Sequence, residues 1–175
     1  YIWVCDFQGN LTVWNNLGST AYHRVKIGEP VYSLQQYGEH VWIGLYRKLL
    51  LYSAKTATVY ATGDTNQLRS LLVYQDEMWG ALNDSLVFVW DTQAISVVHS
   101  LEGHTGTVCC LARVNEYIWS GSFDTNILIW DPVEHKCITE VSGEHHGRIL
   151  AITQCGPFVW TSSEDNVVCI WKLPQ

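Results

Sequence analysis

The nine tryptophans of this chain fall into two evenly spaced columns, and that spacing constrains the fold more than any other feature. Trp3, Trp42, Trp79, Trp119 and Trp160 form the first column, and each follows the last after a nearly constant interval. Trp14, Trp90, Trp130 and Trp171 form the second column, with Tyr52 filling its gap. The first aromatic of each unit precedes the second by the same distance throughout, one position shorter in the Trp42/Tyr52 unit. A fixed period of about 40 residues marks a chain made of one small unit that buries its apolar faces against copies of itself.

The segments around the first column read Tyr-Ile-Trp-Val-Cys, Val-Trp-Ile-Gly, Met-Trp-Gly-Ala, Ile-Trp-Ser-Gly-Ser and Val-Trp-Thr-Ser-Ser. They are short, aromatic and β-branched, which suits half-buried strands. The second column closes another strand in each unit: Leu-Thr-Val-Trp, Leu-Leu-Leu-Tyr, Val-Phe-Val-Trp, Ile-Leu-Ile-Trp and Val-Cys-Ile-Trp. Between the two lie turn-forming stretches such as Phe7-Gln8-Gly9-Asn10, Asn83-Asp84, Phe123-Asp124-Thr125-Asn126 and Glu164-Asp165-Asn166. A further strand is expected before each later first-column tryptophan, at Val31–Leu34, Arg69–Val73, Val108–Ala112 and Ile149–Thr153. Another follows the first four second-column aromatics, at Ala21–Ile27, Thr58–Ala61, Val97–Leu101 and Cys137–Val141. The pattern predicts eighteen strands grouped as three, four, four, four and three, with no sustained helical period.

Four antiparallel strands per unit of this length is the pattern of a β-propeller. The chain is therefore expected to be all-β and a single domain over 1–175, with about five blades, two of them incomplete, near 1–29, 30–64, 65–104, 105–145 and 146–175. Seven blades at this period would need about 280 residues, so the expectation is a C-terminal portion of a larger propeller; a compact five-bladed ring lacking two strands is the alternative.

Composition narrows the function. The 175 residues are 47% apolar, enough for a packed core, and carry a net charge of −7. Residues 1–64 are at +1 and residues 65–175 at −8, which argues against a nucleic-acid partner, since phosphate backbones are held by clustered Lys and Arg. No apolar run approaches the roughly 18 residues of a membrane helix. The six cysteines, Cys5, Cys109, Cys110, Cys137, Cys155 and Cys169, lack C-x-x-C spacing and read as buried thiols in a reducing, cytoplasmic setting.

From Gly103-His104 to Ile129-Trp130-Asp131 the chain resembles a complete WD repeat, opening on Gly-His and closing on Trp-Asp. His145 to Trp171 is nearly as similar, with Lys172 in place of the Asp, and the first two units fit loosely. The resemblance implies a hydrogen-bond network of His, Ser or Thr, Asp and Trp in each blade. His104, Ser120 or Ser122, Asp124 and Trp130 match it in one unit; His145, Thr161 or Ser163, Asp165 and Trp171 match it in the next. In the unit ending at Trp90, Asp64 stands at the His place and Gly80 at the Ser/Thr place, so the network there is expected to be incomplete. The turn position is Arg47 in the Tyr52 unit and Gln8 in the first, so those units are expected to rely on apolar packing.

The resemblance also implies that the residue before the turn Asp faces the propeller's top. That position holds Phe7, Tyr46, Asn83, Phe123 and Glu164, with Arg47, Lys48 and Arg148 as a basic rim. An apolar ring in a solvent-facing turn suits partner contact. The first-column tryptophans are expected to fill space between sheets. The Glu144-His145-His146 cluster is not read as a metal site, because His145 belongs to the network; no metal or cofactor is expected. The leading expectation is a non-enzymatic scaffold that binds a protein or peptide. The alternatives are a regulatory domain of a larger signalling protein, such as a guanine-nucleotide exchange factor, and a hydrolase using His104, Ser122 and Asp124. Self-association of the isolated chain is expected from exposed apolar faces and unpaired edges.

Overall fold

A computed structural model describes residues 2–14, 21–53, 55–56 and 58–173. Tyr1, Pro174 and Gln175, part of the terminal segments read above, lie outside the described residues. Every regular element among the described residues is a strand, and the eighteen strands fall into antiparallel sheets of three, four, four, four and three. Among the described residues no helix is long and apolar enough to cross a membrane. The chain forms two compact units, Tyr1–Leu68 and Arg69–Gln175.

The first unit holds two sheets. Strands β1 (Ile2–Cys5), β2 (Asn10–Trp14) and β3 (Ala21–Lys26) make one; β4 (Ser33–Tyr37), β5 (His40–Gly44), β6 (Lys48–Ser53) and β7 (Thr58–Asp64) make the other. Their shared core contains Leu11, Val41, Ile43, Leu45 and Tyr52, with Trp3 packed against it. The Trp3 and Tyr52 rings meet edge to face, 6.0 Å apart at 74°, the arrangement that the ring quadrupoles favour.

The second unit begins with β8 (Leu68–Tyr74), β9 (Glu77–Leu82), β10 (Val87–Asp91) and β11 (Ser96–Leu101). β12 (Val108–Val114), β13 (Tyr117–Ser122), β14 (Ile127–Asp131) and β15 (Lys136–Val141) follow, then β16 (Ile149–Cys155), β17 (Phe158–Ser163) and β18 (Val168–Lys172). The inner strands of the middle sheet are buried on both faces. Val108, Leu111, Ile118, Leu128 and Trp130 pack toward Trp79, Val87 and Val89. Ala112, Trp119 and Ile127 pack toward Ile149, Ile152 and Val159. The second approach is so close that a Cβ at Gly121 would run into Ile149 and lie 2.9 Å from Cys110 Sγ, which is why the small residue sits there.

A recurrent irregularity accompanies the second aromatic column. The pairing of β2 with β3, β6 with β7, β10 with β11 and β14 with β15 slips by one position just before Trp14, Tyr52, Trp90 and Trp130. One residue of each outer strand is thereby left over, Val98 and Ile138 in the second unit, and both are exposed. A bulge of this kind bends the strand and increases its twist.

Three expectations need correction. The strand expected at Val31–Leu34 lies at Ser33–Tyr37: Pro30 has no N–H to offer a ladder, and Tyr32 instead donates its amide to Gly44 O at 2.9 Å just ahead of the strand. The thiols are not uniformly buried: Cys137 and Cys155 are exposed and the other four half-buried. Cys137 sits on the solvent side of the outer strand β15, and Cys155 at the hairpin end of β16. The first-column tryptophans are not all core either. Trp42, Trp79 and Trp119 are buried, Trp3 is half-buried and Trp160 is 42% exposed. Periodicity places an indole at each position, but only a neighbouring sheet can cover it.

Tyr52 occupies a tryptophan position, and its buried hydroxyl has no hydrogen-bond partner among the described residues. Its ring is 1% exposed. Burial also pushes the phenol up from its ordinary value of 10.0. A buried hydroxyl without a partner costs about 1–3 kcal/mol, so Tyr52→Phe should raise the urea midpoint of the chain. A lowered midpoint would show that the oxygen is contributing to stability.

Candidate functional site

The turn between β13 and β14 is held by a relay of four side chains. Asp124 Oδ2 lies 2.8 Å from His104 Nδ1, and His104 Nε2 lies 2.8 Å from Ser120 Oγ. Trp130 Nε1 donates to the same oxygen at 2.8 Å. The partners dictate the protons. An indole can only donate and a carboxylate can only accept, so His104 carries its proton on Nδ1, while Ser120 accepts from Trp130 and donates to Nε2. Asp124 Oδ2 also accepts the Thr105 amide at 2.8 Å, and its Oδ1 the Asn126 amide at 2.9 Å. Burial alone would push this carboxyl up; the His104 bond and the two amides outweigh it and bring it from 3.8 to about 2.

The same relay recurs one unit later. His145 Nε2 is 2.8 Å from Thr161 Oγ1, Trp171 Nε1 donates to that oxygen at 2.9 Å, and His145 Nδ1 is 3.3 Å from Asp165 Oδ2. The His146 amide, 2.7 Å from Oδ2, leads the interactions that hold Asp165 at about 2. Of the two hydroxyls open at each relay position, the inner one is used. Ser122 Oγ instead donates to Gly106 O at 3.0 Å and accepts the Asp124 amide at 3.1 Å; Ser163 Oγ accepts the Asp165 amide at 3.3 Å. Gly106 and Gly147 permit this approach: a Cβ on either would lie 2.9 or 2.7 Å from the amide nitrogen of Asp124 or Asp165.

A turn fixed in this way presents its neighbour. Phe123, next to Asp124, donates its amide to Thr107 O at 2.8 Å. Two guanidiniums attend its ring, Arg148 at 4.0 Å and Arg69 at 5.1 Å from the centroid. Arg69 Nε and Nη2 donate to Asn83 Oδ1 at 3.1 and 3.0 Å. Arg148 reaches Glu164 at 3.4 Å, both groups about half exposed. Asn83, Phe123, Arg148 and Glu164 are thus joined in one row across three sheets. Phe123 itself is half-buried under its guanidiniums.

Arg69 completes the row and was not among the residues singled out from the sequence. It holds the repeat position of Cys109 and Leu150, each of which is left over where β12 and β16 slip against β13 and β17. Bulges often re-aim a side chain beside a site, and comparing these strand starts reveals Arg69 as the cation at an otherwise apolar place. Cys109 lies close enough to the row for both arginines to favour its thiolate, but burial prevails and pushes the thiol up to about 11.

In the first unit Phe7, 73% exposed, touches Tyr32 edge to face at 6.2 Å. Tyr46 is also exposed, with the Arg47 guanidinium 5.7 Å from its ring. Lys48 is paired with Glu29 at 3.0 Å beside a cleft of about 310 Å³ lined by Ile27, Leu45, Leu50 and Asp64. His145 points inward to its relay while His146 is exposed, so this adjacent pair does not converge. A second polar cluster has no counterpart in the repeat pattern. His135 Nε2 meets both Glu77 oxygens at 3.0 and 2.9 Å, and the His99 ring stacks on it at 3.9 Å, tying two sheets together.

No protein-family model matches the chain. It is 25% identical over 142 residues to Zinc finger CCCH domain-containing protein 62 of Arabidopsis thaliana, covering 76% of this chain and 34% of that protein. A similar match, 23% identical, covers 80% of this chain and 33% of Zinc finger CCCH domain-containing protein 17 of Oryza sativa subsp. japonica. The chain thus spans about a third of the length of these curated relatives. A 51-residue stretch is 39% identical to Mitochondrial division protein 1 of Schizosaccharomyces pombe, covering 29% of this chain and 8% of that protein. Among solved structures, the computationally designed Ika8 protein superposes with a TM-score of 0.82 over 98% of this chain and 55% of its own, at 19% identity. The designed Ika4 protein does so with a TM-score of 0.73 over 82% of this chain and 91% of its own, at 20% identity. At such identity the likeness establishes a shared fold.

Removing the relay oxygen leaves an indole N–H and an imidazole nitrogen buried without partners, at about 1–3 kcal/mol each. Ser120→Ala should therefore destabilise the chain by about 2–6 kcal/mol in urea unfolding, and Ser122→Ala by less. The Asp124 carboxyl is depressed when folded, so its stabilisation is present above pH 3.8 and lost as pH falls through about 2. The deficit of Asp124→Asn, measured by denaturation, should be full at pH 6 and shrink toward pH 2; a pH-independent deficit would show that ionisation is irrelevant.

Proposed function

We propose that this chain is a non-catalytic interaction module, a WD-repeat β-propeller that binds a protein or peptide through the turns carrying Phe123 and its repeat equivalents. The observation that carries this reading is the Phe123 ring, braced between Arg69 and Arg148 on a turn held by the Asp124 relay. Aromatics and arginines are the side chains most enriched where partners bind tightly. The repeat gives Tyr46 and Phe7 the same role in the first unit, where both are exposed. The relay itself suits structure rather than catalysis. Ser122 bonds Gly106 O and not His104, and both Ser120 and Ser122 are 0% exposed, whereas a nucleophile must meet its base and its substrate; the same relay also occurs twice. Six free thiols suit a reducing, cytoplasmic setting.

Affinity capture from cell lysate with wild type, Phe123→Ala and Tyr46→Ala tests the reading. The variants should lose captured partners while keeping their unfolding midpoints; unchanged capture with intact folding would overturn it. A separate expectation concerns the face of β16–β18 that carries Phe158, Trp160, Val168 and Ile170, all exposed, around a cleft of about 100 Å³. Exposed apolar faces of this kind associate. Sedimentation velocity should show concentration-dependent association that Trp160→Ser weakens, and a monodisperse monomer at high concentration would contradict it.

A further inference from the structure

We infer that the Arg69–Phe123–Arg148 row takes a single carboxylate side chain from a linear segment of the partner, with an apolar neighbour of that residue lying against Phe123; this rests on the reading of the Phe123 turn as the partner-binding surface. Charge is the first support. Residues 69–175 carry five Lys/Arg against thirteen Asp/Glu, yet two of those five cations converge on one aromatic ring. The row gathers cations on an acidic unit, so an acid side chain meets it on better terms than it meets the rest of the unit.

The second support is geometry. A guanidinium offers a planar fork of N–H donors that matches a carboxylate. Arg69 spends Nε and Nη2 on a single neutral acceptor, Asn83 Oδ1. Arg148 already holds a carboxylate, Glu164, at 3.4 Å in a half-exposed, loosely made pair. That pair displays the chemistry the row accepts, and Glu164 is the internal competitor that an incoming acid displaces or joins. Phe123 supplies the apolar floor between the two cations and keeps both guanidiniums near one another despite their repulsion.

Charge count also selects the acid. Two guanidiniums face Glu164 and, close by, the ionised Asp124 carboxylate, so the row has room for one carboxylate that takes the place of Glu164. A phosphate dianion would bring more negative charge than Glu164 gives up, on a unit that is already strongly negative. The partner segment is thus acidic at one position and apolar beside it, and does not carry a run of negative charge.

The test uses the whole chain. A random twelve-residue peptide library displayed on phage is selected on wild type at physiological salt, and a recovered peptide is titrated by fluorescence anisotropy. The recovered peptides should share one fixed Asp or Glu flanked by an apolar residue. Arg69→Ala and Arg148→Ala should each weaken binding about tenfold or more, while Glu164→Gln, which removes the competitor, should tighten it several-fold. Changing the peptide's acid to its amide should abolish the difference between wild type and Arg148→Ala. Urea midpoints separate these effects from misfolding, and the rise in Glu164→Gln cannot come from damage. Peptides with no fixed acid, equal binding by Arg148→Ala and Glu164→Gln, or a phosphoserine peptide binding tenfold tighter than the carboxylate one would overturn the inference while leaving a peptide-binding face. Recovery of no peptide at all, with Phe123→Ala capturing what wild type captures, would overturn the face itself.

Discussion

A tryptophan N–H buried between sheets has no water to bond, and leaving it unpaired costs as much as a whole helix cap or a core methyl group. In the second unit this demand is met by one hydroxyl. Ser120 Oγ accepts from Trp130, turns its own proton toward His104 and so passes the constraint to Asp124, which holds the turn beyond the end of β13. Two strands, the loop ahead of β12 and a turn are tied together through an oxygen that is wholly buried. Thr161 does the same for Trp171, His145 and Asp165. Because the relay runs from the core to the turn, core packing sets where Phe123 stands, and Phe123 in turn sets where two arginines gather.

The first unit shows what happens without that device. Tyr52 brings an aromatic ring to the tryptophan place, fills the core and meets Trp3, but its oxygen bonds none of the described residues. Apolar packing surrounds the ring here, with Leu11, Ile43 and Leu45 in the same cluster. The turn residues there, Phe7 and Tyr46, are correspondingly more exposed than Phe123. The contrast fits a common plan in which the sheets share pairing and bulges, while the His–Ser/Thr–Asp–Trp relay is formed in the last two repeats.

The local field of the site also departs from the average of the chain. A unit at −8 would be expected to shun anions, yet two of its five cations, Arg69 and Arg148, gather around one ring. Such a spot acts on association rate and selectivity more than on bulk affinity. The neighbouring Cys109, pushed up to about 11 by burial, stays a protonated thiol at neutral pH and leaves the cationic spot to the arginines.

The linear chain by itself determined the repeat, and with it the number of strands, their grouping, the hairpin turns and the place of each relay residue, because alternation, turn chemistry and a fixed period are local properties that survive in one dimension. That the early units lack the full set of relay residues was legible too, in Tyr52 and in the residues that replace His and Ser. Only the tertiary structure decided which hydroxyl joins the relay: Ser120 and Ser122 lie two apart on the same strand, so both face the same way, and distance to the next strand's indole chose between them. It also decided that Trp160 is exposed although Trp119 is buried at the same repeat position, since burial depends on whether a neighbouring sheet covers that face. Arg69 belongs with these. It stands more than a full repeat before Phe123 in the sequence and nearly two before Arg148, and only the packing of successive sheets brings the three together.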